Sequence, residues 1–152
     1  VDYFKSINDI QGHAAGDAAL RDVADTISTH LRGRDHLGRY GGDEFLLILP
    51  GTPCSVALNV AERLNQAVSD RTKSGLTMPL TLSIGLTEAT ADDNAVTLIA
   101  RADKALYQAK ADGRNCRRVV IDGVEPAAAA PAKDSVVIAD VVIPGVGSTL
   151  LH

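Results

Sequence analysis

Hydrophobic and polar positions follow two rhythms along this chain, and the changes of rhythm divide it into elements. From Asp17 onward, Leu20, Val23, Ala24, Ile27 and Leu31 recur at three- and four-residue spacing, predicting an amphipathic helix closed by Gly33. The period then shortens. Residues 36–40 and 45–49 read as two strands joined by Gly41-Gly42-Asp43-Glu44, a hairpin stopped by Pro50-Gly51. A second helix is expected over 55–69, with Val56, Leu58, Val60, Ala61, Leu64, Ala67 and Val68 on its apolar side. Residues 78–87, from Met78 to Thr87, alternate with Leu80, Leu82, Ile84 and Leu86 on one face, which predicts a half-buried strand. A third helix follows over 94–111, with Leu98, Ile99, Ala102, Ala105, Leu106 and Ala109 inward. Asp112-Gly113 closes it, because Gly accepts the left-handed conformation of a helix end. Residues 117–121 make a short last strand.

Composition shifts after that strand. Pro126 to Ala132 is Ala and Pro throughout, so 122–134 reads as a linker between a domain at 1–121 and a tail at 135–152. The tail carries two apolar triplets, Val136-Val137-Ile138 and Val141-Val142-Ile143, then Pro144-Gly145. At 152 residues the chain suits one domain plus some tail. With 45% hydrophobic residues, 3% aromatic and no Trp, its core is expected to be aliphatic. A net charge of −4 and a pI near 5.5 argue against a sequence-independent nucleic-acid binder. An anionic ligand must therefore be held by a few placed cations or by a metal. Cys54 and Cys116 lie far apart and match no metal spacing, so they read as small thiols of a reducing compartment. No apolar run approaches the roughly 18 residues of a membrane span, and no signal peptide is visible. A cytoplasmic chain without membrane contact is expected.

Candidate chemistry concentrates in four places. Two carboxylates, Asp43 and Glu44, stand directly behind Gly41-Gly42 and ahead of the apolar run Phe45 to Leu49. Glycine allows positive φ and close approach of a ligand to the backbone. Adjacent carboxylates suit Mg²⁺, which takes oxygen ligands and is often shared with phosphate. Asn8 and Asp17 can read guanine, since a carboxylate accepts from N1–H and the 2-amino group while an amide both donates and accepts; both are also good helix-capping types. Lys110 and Arg114, four apart at a helix end, suit a phosphate clamp or simply complement the helix dipole. Arg32-Gly33-Arg34-Asp35 reads on its own as a surface ion pair, and His13, after Gly12, as a packing or turn residue.

Three stretches, taken in order, narrow these alternatives: Asp2-Tyr3-Phe4-Lys5-Ser6-Ile7-Asn8-Asp9 with Gly12-His13 and Gly16-Asp17; the Gly-Gly-Asp-Glu-Phe hairpin; and Ala105-Leu106-Tyr107-Gln108-Ala109-Lys110 through Asn115. Over residues 1–121 the chain resembles the GGDEF family of diguanylate cyclases, which join two GTP molecules into cyclic di-GMP. The resemblance implies an α/β (α+β) sandwich with a mainly antiparallel sheet flanked by helices, similar to nucleotidyl-cyclase and polymerase palm domains. It implies Asp43 and Glu44 as catalytic carboxylates and Phe4, Lys5, Asn8, Asp17, Gly41, Gly42, Lys110 and Arg114 as GTP-binding positions. Metal, Mg²⁺ or Mn²⁺, is implied at Asp43 and Val1. An inhibitory site for cyclic di-GMP is implied at Arg32, Asp35 and Arg63, and turnover by a homodimer, since each domain binds one GTP. The reading from another class is a non-catalytic module that binds GTP or cyclic di-GMP and regulates a partner.

The family's first motif begins with a carboxylate, then a hydrophobic residue, then Asp; Val1 and Asp2 take its second and third places. The resemblance thus implies a domain lacking its first strand and one metal carboxylate, with two unpaired strand edges and an open apolar face. Poor folding and weak metal binding are expected of such a chain. Val136-Val137-Ile138-Ala139-Asp140 has the character of the absent piece, an apolar strand ending in Asp. The plainer expectation for the tail is an extension with no part in the domain.

Overall fold

Gly12 decides where the first long helix starts. Its φ of 84° breaks the path between a helical turn at 8–11 and α1, His13–His30, while its carbonyl accepts from the amides of Ala15 and Gly16. The helix therefore begins four residues ahead of the predicted Asp17. It ends at His30, where Leu31 turns extended, ahead of the expected stop at Gly33. Gly16, Ala19, Leu20, Val23, Thr26 and Ile27 form its buried stripe. The computed structural model describes residues 8–72, 80–121 and 135–142. Val1, Asp2, Phe4, Lys5, Met78, the linker 122–134 and the end of the tail lie outside them.

The predicted hairpin forms β1, His36–Arg39, and β2, Glu44–Leu49, paired antiparallel with Arg39 opposite Phe45. α2 runs Cys54–Thr72 and β3 Thr81–Glu88. α3, Ala95–Ala111, starts at a capping box: the Asn94 side chain accepts from the amides of Val96 and Thr97, and the Thr97 hydroxyl accepts from the Asn94 amide. β4, Arg117–Val119, is shorter than the predicted 117–121. Cys54 is buried and Cys116 half-buried, both as free thiols. Burial, followed by the Glu88 carboxylate, pushes the Cys54 thiol up from its ordinary value.

The tail does not behave as an extension. Its segment Ser135–Val142, β5, lies in the middle of the sheet, which among the described residues has five strands in the order β1-β2-β5-β3-β4. β5 is antiparallel to both β2 and β3, and β4 is parallel to β3. So the sheet is mainly antiparallel, as expected, but its centre is not open.

Alternate positions on these strands supply two cores. Phe45, Leu47, Leu49, Val137, Leu82, Ile84 and Leu86 meet α1 and α2 on one face. Leu46 meets Ala102 and Leu106 of α3 on the other. Burying a Leu or Ile fully is worth about 1.5–3 kcal/mol, so these layers dominate the packing energy. β3 is buried on both faces, not the expected one: Ser83 and Thr87 are 0% exposed. Gly85 explains how α3 comes so near. A Cβ there would lie 2.3 Å from the Ala102 carbonyl and the Leu106 amide, so the helix backbone rests directly on the strand. Among the described residues no helix is long and apolar enough to cross a membrane.

Candidate functional site

The hairpin tip is held by its backbone and by one arginine. The amides of Tyr40 and Gly41 donate to the Glu44 carbonyl at 2.8 and 3.3 Å. Arg39 Nη2 donates to the Gly42 carbonyl at 2.6 Å and Nε to the Gly41 carbonyl at 3.3 Å. Neither glycine has a positive φ. The requirement for glycine is space: a Cβ on Gly41 would stand 2.8 Å from Glu44 Oε2, whereas Gly42 faces open space. Asp43 is buried, at 5% exposure, and Glu44 is half-buried.

The second predicted motif arrives at this tip from the opposite face. Lys110, in the last turn of α3, places Nζ 3.8 Å from Glu44 Oε1, with both side chains about three-quarters covered (23% and 27% exposed). Arg114 lies beyond the helix end rather than on its face. Gly113, Arg114 and Asn115 have φ of 107°, 64° and 47°, and the Arg114 amide donates to the Ala109 carbonyl. Asn65 anchors this left-handed turn, donating from Nδ2 to Asn115 Oδ1 while its Oδ1 accepts from the Leu82 amide.

A groove of about 380 Å³ runs between α1 and the hairpin, lined by Asp17, Arg21, Leu37, Gly38, Arg39 and Phe45 among others. Arg39 links it to the tip, because the same guanidinium that lines the groove holds the Gly42 carbonyl. Asn8 is half-buried in the turn at 8–11, and Asp17 is exposed on α1. His13 is exposed.

Arg32 and Asp35 close a tight loop on each other, with the Arg32 amide donating to Asp35 Oδ2 at 2.8 Å and the Asp35 amide to the Arg32 carbonyl. Arg63, on α2, donates from Nη2 to the His30 carbonyl at 3.0 Å and so satisfies the end of α1. It lines a groove of about 490 Å³ with His30, Asn59, Glu62, Gln66 and Asp70. These three residues gather around the end of α1, and the Arg32 and Asp35 side chains are not part of that groove's lining.

The tip's donors fit a hard divalent cation. Two carboxylates supply oxygen ligands of the kind Mg²⁺ and Mn²⁺ take, and the burial of Asp43 favours a compensating positive charge. No group of three or more His, Cys, Asp or Glu side chains capable of holding a metal occurs among the described residues. Two carboxylates are nonetheless an ordinary protein share for Mg²⁺, whose other ligands are waters and phosphate oxygens.

The profile of one family, described as "Diguanylate cyclase, GGDEF domain", matches residues 1–116. The chain belongs to the GGDEF family. Diguanylate cyclase A of Treponema denticola is 43% identical over 118 residues, which are 76% of this chain and 32% of that protein. The response regulator PleD of Caulobacter vibrioides is 42% identical over 120 residues, 76% of this chain and 26% of that one. The chain thus spans about a third or less of the curated relatives it matches. Among solved structures, the GGDEF domain of DgcB from Caulobacter crescentus in complex with c-di-GMP is 35% identical, with a TM-score of 0.70 over 79% of this chain and 72% of that one. The active GGEEF domain of a diguanylate cyclase from Vibrio cholerae is 31% identical, with a TM-score of 0.70 over 82% of this chain and 79% of that one.

Two features of this GGDEF domain escaped the sequence reading. Arg39 both braces the tip and lines the groove, yet its only signal was its place two residues ahead of Gly41. Asn65 ties α2, β3 and the turn after α3 together, and nothing in a helical pattern marks such a role.

Proposed function

We propose that this GGDEF domain is the catalytic unit of a diguanylate cyclase, acting as a pair of domains that face each other with one GTP in each. The carrying observation is Lys110 reaching to 3.8 Å from Glu44, beside buried Asp43, at a tip kept free of side chain at Gly41 and Gly42. In the reaction, the 3′-oxygen of one GTP bonds to the α-phosphorus of the other. The bond from that phosphorus to the bridging oxygen breaks, and pyrophosphate leaves. The hydroxyl proton passes to the tip, with Asp43 as acceptor. A second transfer in the opposite sense closes the ring.

Lys110 and Arg114 hold the outer phosphates, Asp17 and Asn8 read guanine, and Phe4 and Lys5 add contacts from the first motif. Asp43 and Glu44, with the Val1 position, would hold a divalent cation, which would supply charge neutralisation at the attacking and leaving oxygens. Cyclic di-GMP, the ligand in the DgcB structure, binds as an inhibitor near Arg32, Asp35 and Arg63, where guanidinium forks suit phosphate and guanine. The substrate pool puts the domain in the cytoplasm.

Incubation of the chain with GTP and Mg²⁺, followed by chromatography, tests this reading. Cyclic di-GMP and pyrophosphate should accumulate, with specific activity rising with protein concentration as pairs form. Unchanged GTP together with tight cyclic di-GMP binding would replace the cyclase with a regulatory binding module.

A further inference from the structure

Among the described residues only two that are not glycine have a positive φ, and they are neighbours: Arg114 at 64° and Asn115 at 47°. Gly113, at 107°, ends α3 in the way many helices end. Two further left-handed residues are not needed for that. Asparagine tolerates this region, whereas an arginine enters it only where its surroundings force it. Backbone held in this way persists because its neighbours over-determine it, and such segments gather at binding sites.

Three sets of contacts hold the turn. On the helix side the Gly113 amide donates to the Lys110 carbonyl at 3.4 Å and the Arg114 amide to the Ala109 carbonyl at 3.1 Å. On the strand side the Ile84 amide donates to the Cys116 carbonyl at 2.9 Å, where β4 begins to pair with β3. Bonds along one side of a strand recur every two residues, so a longer β4 would bring the Arg114 carbonyl to the Leu82 amide. Leu82 donates to Asn65 Oδ1 instead, at 2.8 Å. Asn65 Nδ2 in turn donates to Asn115 Oδ1 at 2.9 Å. One amide on α2 thus fills the ladder position that the turn gives up and ties the turn down. Holding β3 needs only its oxygen. The bond from its nitrogen ends on the residue next to Arg114.

We propose that Asn65 is a positioning residue for triphosphate binding: through Asn115 it keeps the left-handed turn that presents Arg114 at the end of α3 carrying Lys110. The inference rests on the reading of Arg114 as a contact to the outer phosphates. A guanidinium whose backbone is set in advance gives up less freedom when a ligand arrives. Asn65 therefore strengthens a contact that it does not itself make, and it adds no charge of its own.

Calorimetry of GTP with Mg²⁺ binding to the full chain tests this in the unaltered protein, Asn65→Ala, Arg114→Ala and the double variant, with thermal melting of each. Arg114→Ala should weaken binding on the order of tenfold. Asn65→Ala should weaken it about fivefold, and the double variant no more than Arg114→Ala alone, because residues that act through one contact do not add. Losses that multiply, as a merely structural Asn65 would give, overturn the inference and leave the proposed function standing. Full affinity in Asn65→Ala does the same. Full affinity in Arg114→Ala removes both the phosphate role of Arg114 and the inference built on it, and no GTP uptake by the unaltered chain overturns both readings. If Asn65→Ala does not fold, Asn115→Ala takes its place in the cycle with the same outcomes, since Asn115 is the exposed half of the contact and its loss spares the Leu82 bond.

Discussion

Below the first turns of α3, Arg101 and Asp93 close on each other with 7% of each side chain exposed; at the helix's last turn, Lys110 stands 3.8 Å from Glu44 with about a quarter of each exposed. The first pair is saturated. Arg101 Nε donates to Thr87 Oγ1 at 2.7 Å and Nη2 to the Glu88 carbonyl at 2.9 Å, while Asp93 also accepts from Thr90 and Thr97. The Arg101 guanidinium, then the Thr90 amide, hold the Asp93 carboxyl well below the usual carboxylate range. The second pair is too long for a direct hydrogen bond and borders buried Asp43. One helix thus spends charge twice. At its start, charge locks α3 to the end of β3; at its end, charge is left able to exchange partners, which a site for a charged ligand requires.

The contrast breaks most sharply at Asp43. Asp43→Asn keeps shape but removes the charge, and it should lower cyclic di-GMP formation on the order of 1,000-fold, about 4 kcal/mol of barrier. Urea unfolding should shift by only about 1 kcal/mol, the ordinary effect of a single substitution. Asp93→Ala is the mirror case. It strands a buried guanidinium and should cost about 3 kcal/mol of stability, read by urea unfolding, with nucleotide affinity of the folded fraction unchanged. The pair also has an acid signature. Because the folded Asp93 value lies below its unfolded value of about 3.9, its stabilisation is complete above that pH and drains away as pH falls further. Asp93→Ala should lack that drop in acid melting curves.

The closed pair and the open tip were not equally legible. The hairpin and α3 follow from period, from Pro50-Gly51 and from Asp112-Gly113, and their bounds are nearly those expected. The tip's brace was hidden, since Arg39 works through the reach of a side chain. The burial of β3 was hidden for another reason. Ser83, Gly85 and Thr87 read as a solvent face, but Gly85 admits the α3 backbone, and Thr87 is satisfied by donating to the Val120 carbonyl and accepting from Arg101. β5 showed its strand character in two apolar triplets, and 136–140 had the character of the absent first strand, but pairing across a linker leaves no local trace that would decide between the central slot and a plain extension. Asn8 and Asp17 share a motif in sequence, but the break at Gly12 that sets the start of α1 between them was not legible there.

Lys110→Met tests the open end alone. An ion pair this exposed contributes at most about 0.5–1 kcal/mol, so melting should hardly move. Affinity for GTP with Mg²⁺, by calorimetry, should fall roughly tenfold, about 1.4 kcal/mol, because a charge-assisted phosphate contact is lost. Equal losses in stability and affinity would mean that this pair is a lock like Arg101–Asp93.

The smallest effect is expected at Gly41. A Cβ there meets the far end of the Glu44 side chain at 2.8 Å, and not backbone, so the carboxylate can swing aside. Gly41 lacks a positive φ, so alanine brings no backbone strain. Gly41→Ala should therefore leave the fold within about 0.5 kcal/mol of the parent, as ordinary surface changes do. What it displaces is the Glu44 carboxylate from its position beside Lys110. A loss of Mn²⁺ affinity of about threefold, near 0.7 kcal/mol, is expected by electron paramagnetic resonance. Unaltered affinity would show that the glycine's space serves the incoming nucleotide and not the carboxylate, and would move the important contact at this tip from Glu44 to the open backbone at Gly42.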